Sequence, residues 1–368
     1  MSKEASQKSL RLFVSDCEGP ISKNDNAFEL AVNFVPDGES FYSLISKYDD
    51  VLADVVKKPD YKAGDTLRLI LPFLKAYSAT NKQIKEFSAR NVLLVPGAKD
   101  TLTFVRQLMP SFIVSTSYEQ YISSLCDLTG FPFESCYCTR LNLDKYNISM
   151  EETKRLQELK KEIAVLPMID IPKKACSVME FSQKDQETIE RLDEIFWKEL
   201  PNMESGRMLT DVNPVGGTEK AKAVQDIVDR MNCSLDRVMY VGDSITDTPV
   251  MKLIRDNDGL TVSFNGNDYS VREADIAVLS GDATVTSILA ESFSSQGKDG
   301  VLRLIKEWNL SGLKNNGISP ELCKRMSTVF SNVFPQVEQV TDDNVERLKR
   351  ESSGFRKTVR GEAIGQLG

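Results

Sequence analysis

RLFVSDCEG (residues 11–19) and VMYVGDSITD (residues 238–247) decide the fold. In each, a short apolar run closes on a small residue and an acid. Runs of this length, almost unbroken by polar residues, read as strands buried on both faces, which is the habit of a parallel sheet covered by helices. Working outward, SFIVS (111–115), LTVSF (260–264) and IAVL (276–279) read the same way. Each is followed by a polar turn and a helical pattern, so the chain is expected to be α/β, built from βα units on a Rossmann-like parallel sheet.

Helical periodicity fills the space between the first two strands, in FELAVNF, FYSLISKYDDVLADVV, DTLRLILPFLKAY and NKQIKEFSAR. A second helical, charge-rich stretch carries EETKRLQELKKEI and KDQETIERLDEIFWKEL and is broken around Pro167 and Pro172. The expected organisation is a core of residues 1–22, 92–148 and 206–295, a helical insert at 23–91, a second helical insert at 149–205 and a C-terminal helical extension at 296–368. The closing FRKTVRGEAIGQLG (355–368) is polar enough to be expected poorly ordered. No internal repeat or low-complexity tract is present.

Composition removes several function classes. The formal net charge is −8 and the pI about 5.0, which argues against nucleic acid, whose binding needs clustered Lys and Arg. With no histidine in the chain, Ser-His-Asp and Cys-His catalysis and His-ligated zinc are excluded. Seven cysteines without a CxxC pair suit a reducing compartment rather than a disulfide framework. MSKEASQKSLRLFV at the start has no apolar secretory core, and no run is long enough to cross a bilayer, so a cytoplasmic location without membrane insertion is expected.

The chemistry must then run on carboxylates, hydroxyls, lysine and metal. Asp16 and Glu18 follow the first strand at its C-terminal end, where open α/β sheets place ligands. Asp243 ends a second strand, with Asp247 one turn on. Carboxylates gathered on neighbouring strand tips repel unless a hard cation sits among them, and Mg²⁺ suits few carboxylates, several waters and a phosphate. Ser115 and Thr116 offer hydroxyls and backbone N–H groups at the end of a third strand, an anion site. Lys220, in GGTEKAKAVQDIV, begins the helix that leads into the Asp243 strand. Each signal has a plain alternative: a solvated DxE turn, N-caps at Ser115 and Asp247, a surface lysine with Lys222 beside it. Their order in the chain makes the set specific.

That order resembles the four motifs of the haloacid-dehalogenase superfamily, over residues 11–22, 92–145 and 206–292, and within it the phosphoserine-phosphatase-like branch. The whole chain is also similar to archaeal proteins labelled phosphatases or energy-converting hydrogenase A subunit R. The resemblance implies a Mg²⁺-dependent phosphatase acting on a small phosphorylated metabolite through an aspartyl-phosphate. It makes Asp16 the nucleophile, Glu18 the general acid and base, Ser115 and Lys220 the phosphate binders, and Asp16, Glu18, Asp243 and Asp247 the metal residues. The helical insert resembles a cap, with Asp25 placed to receive a substrate amino group and Arg68 a carboxylate, and Thr116 beside them as a substrate contact. Glu18 departs from the Asp usual at that position. The second insert and the extension have no counterpart in the small phosphatases and are read as surfaces for a homo-oligomer or protein complex. Two alternatives accompany this reading: a phosphotransferase using the same intermediate, and a non-catalytic subunit of a hydrogenase-type complex.

Overall fold

The computed structural model describes residues 10–331, 333–365 and 367. Among these, seven strands form one sheet: β1 (Leu12–Ser15), β2 (Ser111–Tyr118), β3 (Cys136–Thr139), β4 (Val238–Gly242), β5 (Leu260–Phe264), β6 (Ile276–Leu279) and β7 (Gln336–Gln339). Their order is β3-β2-β1-β4-β5-β6-β7, and every neighbouring pair is parallel except β6 with β7. This is the expected α/β, Rossmann-like sheet.

Alternate side chains of the central strands enter different cores. Leu12 and Val14 join Val238 and Tyr240 on one face, where Val224, Ile227, Met251 and Ile254 of two helices cover them. Phe13 joins Met239 and Val241 on the other, under Leu102, Leu125, Ile288 and Phe293. A fully buried Val or Leu contributes about 1.5 to 3 kcal/mol, so a one-residue slip that exchanges the faces is heavily disfavoured. The register is thereby fixed: Ser15 lies opposite Val241, and the Asp16 N–H donates to the Val241 carbonyl at 2.8 Å. The acids that follow β1 and β4 are brought to the same edge.

The structure departs from the sequence reading in four places. β2 runs on through Ser115 to Tyr118, so Ser115 and Thr116 lie within a strand and the helix starts only at Glu119. β3 and β7, four residues each at the sheet edges, were not anticipated. The closing segment is helical, with Val345–Arg360 and Glu362–Gly365, while Gln366 and Gly368 fall outside the described residues. Finally, the second helical stretch packs against the first and shares its core. Leu156, Leu159, Ile163 and Phe196 share one core with Phe41, Tyr48 and Phe73. Phe73 meets Phe41 edge-on at 4.9 Å and Phe196 at 6.2 Å between centroids, and Tyr48 stacks on Phe196 at 5.9 Å. Ser149 and Ser182 cap the helices Met150–Val165 and Gln183–Glu194, each accepting from a backbone N–H three residues on. No helix of the described residues is long and apolar enough to cross a membrane.

Candidate active site

The edge formed by the ends of β1, β2 and β4 faces the helical layer across a cavity of about 90 Å³. Asp16, Glu18, Asp25, Ser115, Thr116 and Asp243 all line it. Oxygens of Asp16, Asp243 and Asp247 lie within 4.8 Å of one another. Gly19, directly after the β1 tip, has φ +101°, and a Cβ there would sit 2.2 Å from the Asp243 carboxylate. Glycine is what lets the two strand tips approach.

Lys220 ties the acids together. Fully buried on the helix Thr218–Arg230, it donates from Nζ to Asp16 Oδ2 at 2.6 Å and to Asp247 Oδ1 at 2.7 Å. Burial pulls its pKa down, but Asp16 and Asp247 together outweigh burial and hold it above the ordinary lysine value. Asp247 accepts four contacts: Lys220 and the Tyr240 hydroxyl (2.6 Å) on Oδ1, and the backbone N–H groups of Asp243 and Ser244 (2.9 Å each) on Oδ2. Burial raises its carboxyl, yet Lys220 and these donors bring it below the usual value. Through these contacts Asp247 holds Lys220 and the turn after β4, and its carboxylate stays within 4.8 Å of those of Asp16 and Asp243.

Asp16 keeps one oxygen on the Cys17 N–H (2.6 Å) and the other on Lys220. Burial pushes its carboxyl up to about 7, with Asp247 and Asp243 adding to the effect against Lys220. A hard cation beside Asp16 and Asp243 would relieve that repulsion, and the all-oxygen donors here fit Mg²⁺. Burial, followed by the nearby Asp25, raises Glu18 well above the carboxylate range in spite of the hydrogen bond it accepts from the Asn26 N–H at 2.7 Å.

Asp25 lines the cavity while capping the helix Asn26–Phe34, accepting from the Phe28 N–H at 2.9 Å. Ser115 Oγ donates to Ser117 Oγ at 3.1 Å, and the buried Thr116 Oγ1 has no partner. Arg68 is not part of this site. Its guanidinium donates to Asp65 Oδ2 at 2.5 Å and the Leu209 carbonyl at 2.9 Å, lies over the Tyr61 ring, and borders a separate cavity with Trp197. The acid three residues before it on the same helix turn claims it first.

Two cations that sequence reasoning missed stand where Arg68 was expected. Arg356 and Arg360, one turn apart on Val345–Arg360, both line the cavity and both donate to Asp243 Oδ2, Arg360 at 3.0 Å. The only signal in the sequence is their four-residue spacing, which puts them on one helix face without saying what that face meets.

A family model described as haloacid dehalogenase-like hydrolase matches residues 94–305. Among solved structures, gene product AF1437 from Archaeoglobus fulgidus is 24% identical with a TM-score of 0.79, over 98% of this chain and 99% of that one. A phospho-aspartyl intermediate analogue of phosphoserine phosphatase is 15% identical (TM-score 0.45), and a substrate-bound phosphoserine phosphatase complex 13% (TM-score 0.46). Each spans 77% of this chain and 99% of its own. No curated protein matches. The matched segment takes in β2, Lys220 and the acids after β4, more than half of the chain: this protein belongs to the haloacid dehalogenase-like hydrolases.

Proposed function

We propose that the chain is a Mg²⁺-dependent phosphomonoesterase acting on a small phosphorylated metabolite in the cytoplasm, with Asp16 as nucleophile. The observation that carries this is the buried Asp16–Lys220–Asp247 bridge beside Asp243, which sets a cation among three carboxylates at the strand tips, two of which, Asp16 and Asp243, line the cavity. Asp16 forms a bond to phosphorus as the ester P–O bond breaks, giving an aspartyl-phosphate. Glu18, whose burial favours the protonated form, gives its proton to the leaving oxygen, then takes one from the water that splits the intermediate. Lys220 and Ser115 hold the phosphoryl oxygens, since positioning and charge dominate this chemistry. Mg²⁺, held by Asp16, Asp243 and the Glu18 carbonyl, would supply further neutralisation of those oxygens.

The test is phosphate release from p-nitrophenyl phosphate with and without Mg²⁺, for wild type and Asp16→Asn. Turnover should be lost in the variant while its circular dichroism is unchanged, because an amide is no anionic nucleophile. Turnover equal to wild type removes the covalent mechanism. Running the assay with an added alcohol and counting phosphorylated acceptor separates hydrolysis from phosphotransfer.

A further inference from the structure

The helix Val345–Arg360 is held from both sides. Ser352 Oγ donates to the Gly266 carbonyl at 2.6 Å on the sheet side, and Leu367, just beyond, lines the cavity and enters the core of the helical layer. The two arginines between these anchors are therefore fixed in place. Arg360 is fully engaged: beyond Asp243, its Nε donates to the Lys23 carbonyl at 3.0 Å and its Nη2 to the Asn24 carbonyl. Arg356 is not. It is 3% exposed and pairs with Asp243 through Nη1, while its buried Nε has no acceptor.

A buried guanidinium donor left unmet is unusual, and a ligand that supplies the acceptor accounts for it. The charge pattern agrees. Two guanidiniums converge on the one Asp243 carboxylate, and neither makes an ion pair with another acid among the described residues. Lys220 is already shared between two acids, and Arg68 faces elsewhere, so Arg356 and Arg360 are the cations among the residues lining the cavity. Thr116 Oγ1, also buried and unpartnered in the same lining, offers a second polar contact.

We infer that Arg356, steadied by Arg360, receives a second anionic group of the substrate, which is therefore a phosphomonoester carrying a carboxylate or a second phosphate within a few bonds of the ester oxygen. This rests on the phosphomonoesterase reading for the reacting group only. The planar fork of arginine suits both kinds of anion.

Calorimetry on the metal-free full-length chain tests it without relying on turnover. The probes are 2-hydroxyethyl phosphate, which lacks a second anion, phosphoglycolate, which adds a carboxylate, and ethylene glycol bisphosphate, which adds a phosphate. Wild type should bind at least one of the two dianionic-end probes about tenfold or more tightly than 2-hydroxyethyl phosphate, the range of a charge-assisted hydrogen bond, and which one identifies the group. Arg356→Gln should collapse that ratio toward one, with Arg356→Lys recovering part of it. Equal binding of all three probes by wild type overturns the inference, as does a ratio that survives Arg356→Gln while only the melting temperature falls. If Arg356→Gln does not fold, the wild-type ratio decides alone. A binding preference without phosphate release on adding Mg²⁺ keeps the receptor and refutes the phosphatase; release without preference does the reverse.

Discussion

Replacing Lys220 by methionine keeps most of the stem's bulk and removes one charge. What remains is Asp16 at 5% and Asp247 at 0% exposure, each stripped of a contact shorter than 2.8 Å. Removing one partner of a buried ion pair costs about 3 to 5 kcal/mol, because the surviving charge stays buried without compensation. Against a total stability of about 5 to 15 kcal/mol this is a large share. At about 2 to 4 °C per kcal/mol for a domain of this size class, Lys220→Met should lower the melting temperature by roughly 6 to 20 °C. The measurement is thermal unfolding in EDTA, so that no cation replaces the ammonium. Adding Asp247→Asn removes the stranded charge and keeps an oxygen for the Asp243 and Ser244 N–H groups, so the double variant should melt above Lys220→Met alone. A single variant within about 2 °C of wild type, or a double variant that melts lower than the single, refutes the account of Lys220 as the buried bridge.

Arg68→Ala should leave the ranking of phosphorylated substrates unchanged and cost roughly 1 to 3 kcal/mol of stability, since its contacts with Asp65, Leu209 and Tyr61 lie outside the cavity; a substrate panel beside a melting curve checks both halves, and an altered ranking would return Arg68 to the site. Burial pushes Glu29 up to about 7 from 4.5, in spite of the Asn24 amide that donates to both its oxygens. The folded chain then keeps a proton that the unfolded chain releases, so this stability is present in full below about pH 4.5 and is lost as the pH rises through about 7. Melting temperatures between pH 4 and 8 should fall less steeply in Glu29→Gln than in wild type, and an identical slope would show that Glu29 is not a linked group.

Five of the seven strands could be read from the sequence because burial on both faces demands nearly unbroken apolar runs, and β1, β2, β4, β5 and β6 carry them. β3 and β7 escaped because an edge strand of four residues, CYCT or QVEQ, needs no such run. The acids at the strand tips were legible for the same reason as the strands: register follows from burial, and the acid that follows the apolar run falls at the ligand edge. Arginines on helices were not. Spacing tells which side chains share a helix face, but the packing of that helix decides what the face meets. Asp65, three residues before Arg68, was the local warning that this guanidinium was already spoken for. Arg356 and Arg360 offered none, since Asp243, Lys23 and Asn24 are all remote from them in the chain.

That remoteness sets an order of events during synthesis. Asp16 and Glu18 leave the ribosome more than 300 residues ahead of Arg356, an interval of roughly 15 to 70 s at about 5 to 20 residues per second. Lys220 emerges in between to pair with Asp16 and Asp247, but Asp243, once β4 is made, waits for both of its guanidiniums. A growing chain can pair its strands in advance of this, but Asp243 at the tip of β4 is then without the two cations that meet it in the folded chain. These pairings form last, when the final long helix docks, so a chain interrupted before residue 356 would carry its acids together and lack both arginines.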